Sequence, residues 1–156
     1  MVFKIDLKTG NLVFPDFTIT RSMTMQQLKV LDTRCFKISF EHDIYQRCKV
    51  AIVEHSADRI LISASLKAGV IQSISMFVLY NEYTTGQGEG WDRWVGEDPD
   101  PWSRWSEAEE RKGLEKLLQI LTQQGVRNDQ VFPWGTVHGS YDPRSACAAL
   151  GVFYKV

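Results

Sequence analysis

Residues 60–80 read ILISASLKAGVIQSISMFVLY, and the fold class follows from how this stretch is parsed. Ile60 to Leu66 is a short apolar run. Lys67-Ala68-Gly69 interrupts it, and Val70 to Tyr80 resumes with Ile74, Met76 and Val78 set against Ser73, Ser75 and Phe77. Two runs of strand length joined by so short a turn predict an antiparallel hairpin, because a parallel pair needs a long crossover. Upstream, Val50 to Val53 is a further apolar run, separated from Ile60 by the polar turn His55-Ser56-Ala57-Asp58. Phe36, Ile38 and Phe40 alternate with polar neighbours before it. Residues 36–80 therefore predict an antiparallel meander.

Both ends of the chain extend the pattern. Phe3, Ile5 and Leu7 alternate with Lys4 and Asp6, Lys8-Thr9-Gly10-Asn11 turns the chain, and Leu12-Val13-Phe14 returns until Pro15 stops the strand. Gly10 supplies the positive φ of a bulged hairpin turn. Thr24 and Gln27 have capping-box spacing before a short helix with Met25, Leu28 and Leu31 on one face. A long helix is predicted after Ser106, which with Glu109 has the same spacing. Glu107 and Glu110 favour its N-terminal dipole, Leu114, Leu117, Leu118 and Leu121 form the apolar stripe, and Gly125 closes it. Gly113 reads as a weak point worth about 1 kcal/mol against alanine. Val131 to Val137, a turn containing Tyr141-Asp142-Pro143-Arg144-Ser145, and Cys147 to Tyr154 make a second hairpin. The expectation is one α+β domain over residues 1–156: a mainly antiparallel sheet, one long amphipathic helix packed on it, and a short N-terminal helix.

Composition bounds the function. With 156 residues, 44% hydrophobic and 24% charged, the chain can bury a core, and its net charge of −1 gives no overall basic field for nucleic acid or anionic lipid. No apolar run approaches the ~20 residues of a membrane span. The opening Met1-Val-Phe-Lys-Ile-Asp reads as a strand and lacks the regions of a secretory signal, so the expected location is the cytoplasm. Cys35, Cys48 and Cys147 are odd in number and widely spaced, which suits small buried or half-buried thiols better than disulfides or zinc. Neither a cofactor nor a metal is expected. Gly86 to Gly90 has G-x-G-x-G spacing without a following Lys-Ser/Thr, and its acidic neighbours would repel phosphate. Glu97-Asp98-Pro99-Asp100 lacks the EF-hand pattern.

The near-zero total conceals a segregation of charge. Between Glu82 and Glu110 lie nine acids and two arginines, leaving ten acids and sixteen bases in the rest of the chain. Trp91, Trp94, Trp102 and Trp105, four of the five tryptophans, share this stretch. Trp102 and Trp105, near the helix start, read as packing residues. Acids draw a basic partner from a distance, and tryptophans supply contact area at low entropic cost. This reading selects Glu89, Trp91, Asp92, Trp94, Glu97, Asp98 and Asp100 as partner-binding residues. Two other classes stay open: a small-ligand or carbohydrate-binding module using the tryptophans, and an enzyme with a dispersed site around His138, Tyr141 and Asp142.

Two stretches carry a resemblance: Ile5 to Pro15 (IDLKTGNLVFP) and Phe132 to Ser145 (FPWGTVHGSYDPRS), with Glu109-Glu-Arg-Lys112 in the helix between them. Together they resemble a family of small bacterial proteins, some encoded beside contact-dependent or other polymorphic toxins. The resemblance implies an immunity protein whose partner is a cognate toxin domain, in many cases a nuclease. Glu115, Lys116 and Leu118 stand where many members of that family have a His-Asp pair and a tryptophan. Trp134-Gly135 and Tyr141-Asp-Pro-Arg144 also have a structural explanation, as a buried aromatic strand and a tight turn.

Overall fold

In the computed structural model, which describes residues 2–80 and 106–155, the N-terminal hairpin is present and carries a third strand. Strands β1 (Lys4–Ile5), β2 (Leu12–Val13) and β3 (Thr18–Ile19) pair antiparallel in that order as a small separate sheet. Gly10 has φ 76°, and its N–H donates to the Asp6 carbonyl at 2.7 Å to close the turn. Pro15 ends β2, but the chain reverses at once, with the Phe14 N–H donating to Phe17 O at 2.8 Å. Helix α1 (Met25–Lys29) follows with both halves of the predicted capping box formed by Thr24 and Gln27.

The predicted meander is β4 (Lys37–His42), β5 (Tyr45–His55), β6 (Asp58–Lys67) and β7 (Val70–Leu79). Ala68 and Gly69 have φ values of 51° and 78°, as a two-residue hairpin turn of the primed type requires. The C-terminal run divides into β8 (Val131–Phe132) and β9 (Gly135–Asp142), which turn on Pro133-Trp134, and it returns as β10 (Cys147–Tyr154). Tyr141 and Asp142, expected in the turn, instead end β9. All seven strands form one antiparallel sheet in the order β4-β5-β6-β7-β10-β9-β8. Register shifts in three successive strand pairs leave an extra residue on β4, β5 and β7: Ser39, Val50 and Gln72. Such bulges increase the local twist, and three in a row coil the sheet.

Helix α2 (Glu107–Gln123) packs on β7, β9 and β10. Its expected capping box is half made. Ser106 Oγ accepts the Glu109 N–H at 3.3 Å, while the Ser106 N–H donates to Tyr80 Oη instead of to a glutamate. At the other end Val126 N–H donates to Leu121 O and Gly125 N–H to Thr122 O, the paired bonds of a Schellman motif, with Gly125 at φ 75°. Glu110 does more than complement the dipole. It is 3% exposed, and its Oε1 accepts the Ala148 N–H at 3.0 Å, tying the first turn of α2 to β10.

Gly113 proves to be a packing requirement. A Cβ there would sit 2.8 Å from Val78 Cβ, so the missing side chain is what lets α2 approach β7. Helix propensity alone would make Gly113→Ala stabilising by about 1 kcal/mol. Overpacking at a sheet contact costs about 1–3 kcal/mol, so the substitution is expected to lower the urea midpoint. A midpoint above that of the parent protein would mean that α2 slides freely on the sheet.

One buried cluster joins the layers: Phe3, Ile5 and Leu12 of the small sheet, Leu28 of α1, Leu117 and Leu121 of α2, and Ile62, Ile74, Met76 and Leu150 of the large sheet. A second, smaller cluster on the opposite face gathers Cys35, Leu61 and Leu79. Among the described residues no helix is long and apolar enough to cross a membrane.

Candidate functional site

Because strand side chains alternate between faces, burying Ile62, Ala64, Ile74 and Met76 towards α2 turns their neighbours the other way. On this open face Ser63 lies opposite Ser75 and Ser65 opposite Ser73, with Gly151 beside Ser75 on β10. Small side chains across β6, β7, β10 and β9 leave a groove of about 700 Å3. Bulkier groups bound it: Arg47 on β5, Phe77 on β7, Phe153 on β10 and His138 on β9. The hydroxyls of Ser65, Ser73, Ser75 and Ser140 make no hydrogen bond to another described residue, whereas Ser63 Oγ donates to Cys48 O at 3.0 Å.

Among the described residues the lining is basic: Arg47, Lys49 and Arg144 stand against one acid, Asp142. Lys49 is 2% exposed, although it is not an apolar residue. Asp142 Oδ1 accepts the Arg144 backbone N–H at 2.9 Å, and this bond first, with the guanidinium nearby, holds its carboxyl below the usual range.

The same pleat separates the residues considered for catalysis. His138 and Asp142 line the groove, but Tyr141 faces α2, where the Arg111 guanidinium lies 4.4 Å from its ring centre. His138 Nδ1 is bonded to the Asp129 carboxylate, and among the described residues no hydroxyl or thiol is hydrogen-bonded to its ring. Burial pushes the Cys35 thiol up to about 11 and the Cys48 thiol up to about 12, so both stay protonated near neutral pH and neither is an activated nucleophile. None of the three cysteines forms a disulfide, and Cys147 is half-buried. His42 and His55 sit at exposed strand ends. Among the described residues no three His, Cys, Asp or Glu side chains gather as a metal site. The groove can bind by charge and hydrogen bonding. It holds no paired nucleophile and base among those residues.

Glu89, Trp91, Asp92, Trp94, Glu97, Asp98 and Asp100 lie outside the described residues, as do Gly86 to Gly90, Trp102 and Trp105. The groove was not anticipated from the sequence. Its signal was the repeated Ser-x-Ser of neighbouring strands, Ser63 and Ser65 then Ser73 and Ser75, which by itself reads as ordinary solvent-facing alternation.

No protein-family model matches the chain, and no curated protein matches it. Among solved structures the fold is similar to a chain of the complex of Rhs1-CT with its cognate immunity protein RhsI1. The TM-score is 0.58 at 13% sequence identity, over 98% of this chain and 87% of the other. At that identity the likeness is one of fold.

Proposed function

We propose that this protein is an immunity protein that binds a cognate toxin domain and occludes its active site or substrate surface. The observation that carries this reading is the likeness of fold, over nearly the whole chain, to a chain of a complex formed by an immunity protein and its cognate partner. A groove equipped for binding, without an activated nucleophile among the described residues, agrees with it. So does the resemblance of the two chain ends to proteins encoded beside toxins.

The surface proposed first is the acidic stretch bearing Glu89, Trp91, Asp92, Trp94, Glu97, Asp98 and Asp100. Against a nuclease, whose substrate cleft is basic, these carboxylates stand in for phosphate charge and steer association. Electrostatic steering raises association rates by about 10–1,000-fold and fades with salt. The test uses the purified protein as bait for the product of the neighbouring toxin gene, followed by association kinetics. Asp92→Lys, Asp98→Lys and Asp100→Lys together are expected to slow association about tenfold or more at low salt, the difference shrinking as salt rises. Unchanged rates and salt slope would remove the acidic stretch from the interface. Failure to capture any toxin would count against the immunity reading itself.

One observation favours a small-ligand module. The groove volume falls within the ~300–1,000 Å3 of sites that enclose drug-sized molecules. Saturable quenching of tryptophan fluorescence by a sugar, with no protein captured, would support that reading.

A further inference from the structure

The basic groove continues into a second feature at one end of the sheet. The β4–β5 and β6–β7 hairpin tips lie side by side, joined by the Ala68 N–H donating to Ile44 O at 2.7 Å. Four of the ten large hydrophobic side chains exposed among the described residues gather here: Phe40, Ile44, Tyr45 and Val70. Tyr45 and Lys67 are cross-strand partners, and the Lys67 ammonium lies 5.9 Å from the centre of the Tyr45 ring. Tyr45, Arg47 and Lys49 alternate on one face of β5, so the apolar tip and the cationic groove form a continuous surface. Apolar anchors beside charges that fix orientation are the makings of a protein interface.

The dimensions select the form of the occupant. From Arg47 on β5 to His138 on β9 are four strand spacings of about 4.8 Å, or about 19 Å. An extended peptide of about six residues, at about 3.3 Å each, covers that span. Charge selects its chemistry, since the exposed cations Arg47, Lys67 and Arg144 stand against Asp142, the one acid among the groove's described residues, and call for carboxylates. The unpartnered hydroxyls of Ser65, Ser73 and Ser75 can donate to them or to peptide carbonyls. Phe40 and Tyr45 offer a base a stacking surface, but Ile44 and Val70 beside them suit methyl groups, which favours a protein over a nucleic acid and makes an oligonucleotide the necessary competing probe.

We propose that this open sheet face docks an extended acidic segment of a protein partner. Its carboxylates meet Arg47, Lys67 and Arg144, and its apolar side chains meet Phe40, Tyr45 and Val70. That the partner is a toxin rests on the function proposed above; the chemistry of the groove does not.

The test needs no toxin. The full chain is titrated into a fluorescein-labelled peptide, acetyl-Glu-Leu-Glu-Glu-Leu-Glu-amide, and anisotropy is read at low and high salt. A peptide with lysine for each glutamate and a short oligothymidylate serve as the other probes. Saturable, salt-sensitive binding of the acidic peptide alone is expected. It should weaken on the order of tenfold in the Arg47→Glu, Arg144→Glu double variant and again in Tyr45→Ala. Circular dichroism checks that these exposed substitutions leave the fold intact. No saturable binding, equal binding of the lysine peptide, tighter binding of the oligothymidylate, or an unaffected double variant would each overturn the proposal. Toxin capture with full affinity by that double variant would overturn the assignment of a toxin to this groove, while leaving the immunity reading standing. Peptide binding without toxin capture would count against the immunity reading and leave the docking proposal standing.

Discussion

Trp134→Ala is expected to cost the fold about 3–5 kcal/mol, the range for deleting a buried large aromatic. The indole is 7% exposed and stacks on Phe132, with ring centres 4.9 Å apart and planes 7° from parallel. Tyr154 lies against it at 5.9 Å. Its Nε1–H donates to Leu7 O at 3.0 Å, and a Cβ on Gly10 would come within 2.6 Å of the ring, so the indole rests directly on the N-terminal turn. Alanine would open a cavity, leave the Leu7 carbonyl without its donor, and uncouple the small sheet from β9 and β10. Urea unfolding followed by far-ultraviolet circular dichroism measures the loss, and hydrogen exchange at Ile5 and Leu12 locates it. Trp134→Phe keeps most of the packing but not the N–H, and should fall between the parent and the alanine variant. A loss below about 1 kcal/mol for alanine would mean that the Tyr154 Oη–H bond to Gly10 O, 2.8 Å long, is enough to hold the small sheet.

Gly135→Ala is expected to cost about 3 kcal/mol or more, by a different mechanism. Gly135 has φ 156°, and a Cβ there would lie 1.9 Å from the Phe153 carbonyl oxygen and 3.0 Å from Tyr154 Cα. Those atoms belong to the backbone of β10, the cross-strand partner of β9, so no side-chain rotation relieves the collision. Relief requires β9 to part from β10 where β8 begins its own pairing. Gly69 provides the comparison, because it also has positive φ, 78°, but nothing lies within 4 Å of its Cβ position. Gly69→Ala should therefore cost only the left-handed backbone, about 1–2 kcal/mol. Urea midpoints of the two variants separate collision from strain. Equal losses would show that the strand end yields easily.

Elements specified by local signals were legible. Thr24 with Gln27, the leucine stripe of α2 and the Gly125 terminus each involve residues within one or two turns, and each was found where expected. The exceptions were non-local. Ser106 lost half of its capping box because Tyr80 took its N–H, and Gly113 read as a flaw because Val78 is 35 positions away in the chain. Strands β3 and β8 have two residues each, too few to display any period. The acidic tryptophan stretch lies outside the described residues, while the groove came from residues that read as plain alternation.

The sequence by itself determined the α+β class, the meander, the two terminal hairpins and the length and polarity of the long helix, because period and punctuation are local properties. Tertiary structure decided the groove, and the reason can be followed in the register of β6 and β7. Counted back from the Ala68-Gly69 turn, Ser65 would face Gln72, Ser63 would face Ile74, and Ile62 would face Ser75. The observed pairing begins that way, Lys67 with Val70 and Leu66 with Ile71, then shifts by one at Gln72. Ser65 thereby meets Ser73, Ser63 meets Ser75 and Ile62 meets Met76. A one-residue slip exchanges the two faces of a strand, so the bulge keeps Ile62, Ala64, Ile74 and Met76 on the core face and Ser63, Ser65, Ser73 and Ser75 on the open face. Burial of the apolar face against α2 and the small sheet selects that register, and only the folded chain brings those partners together.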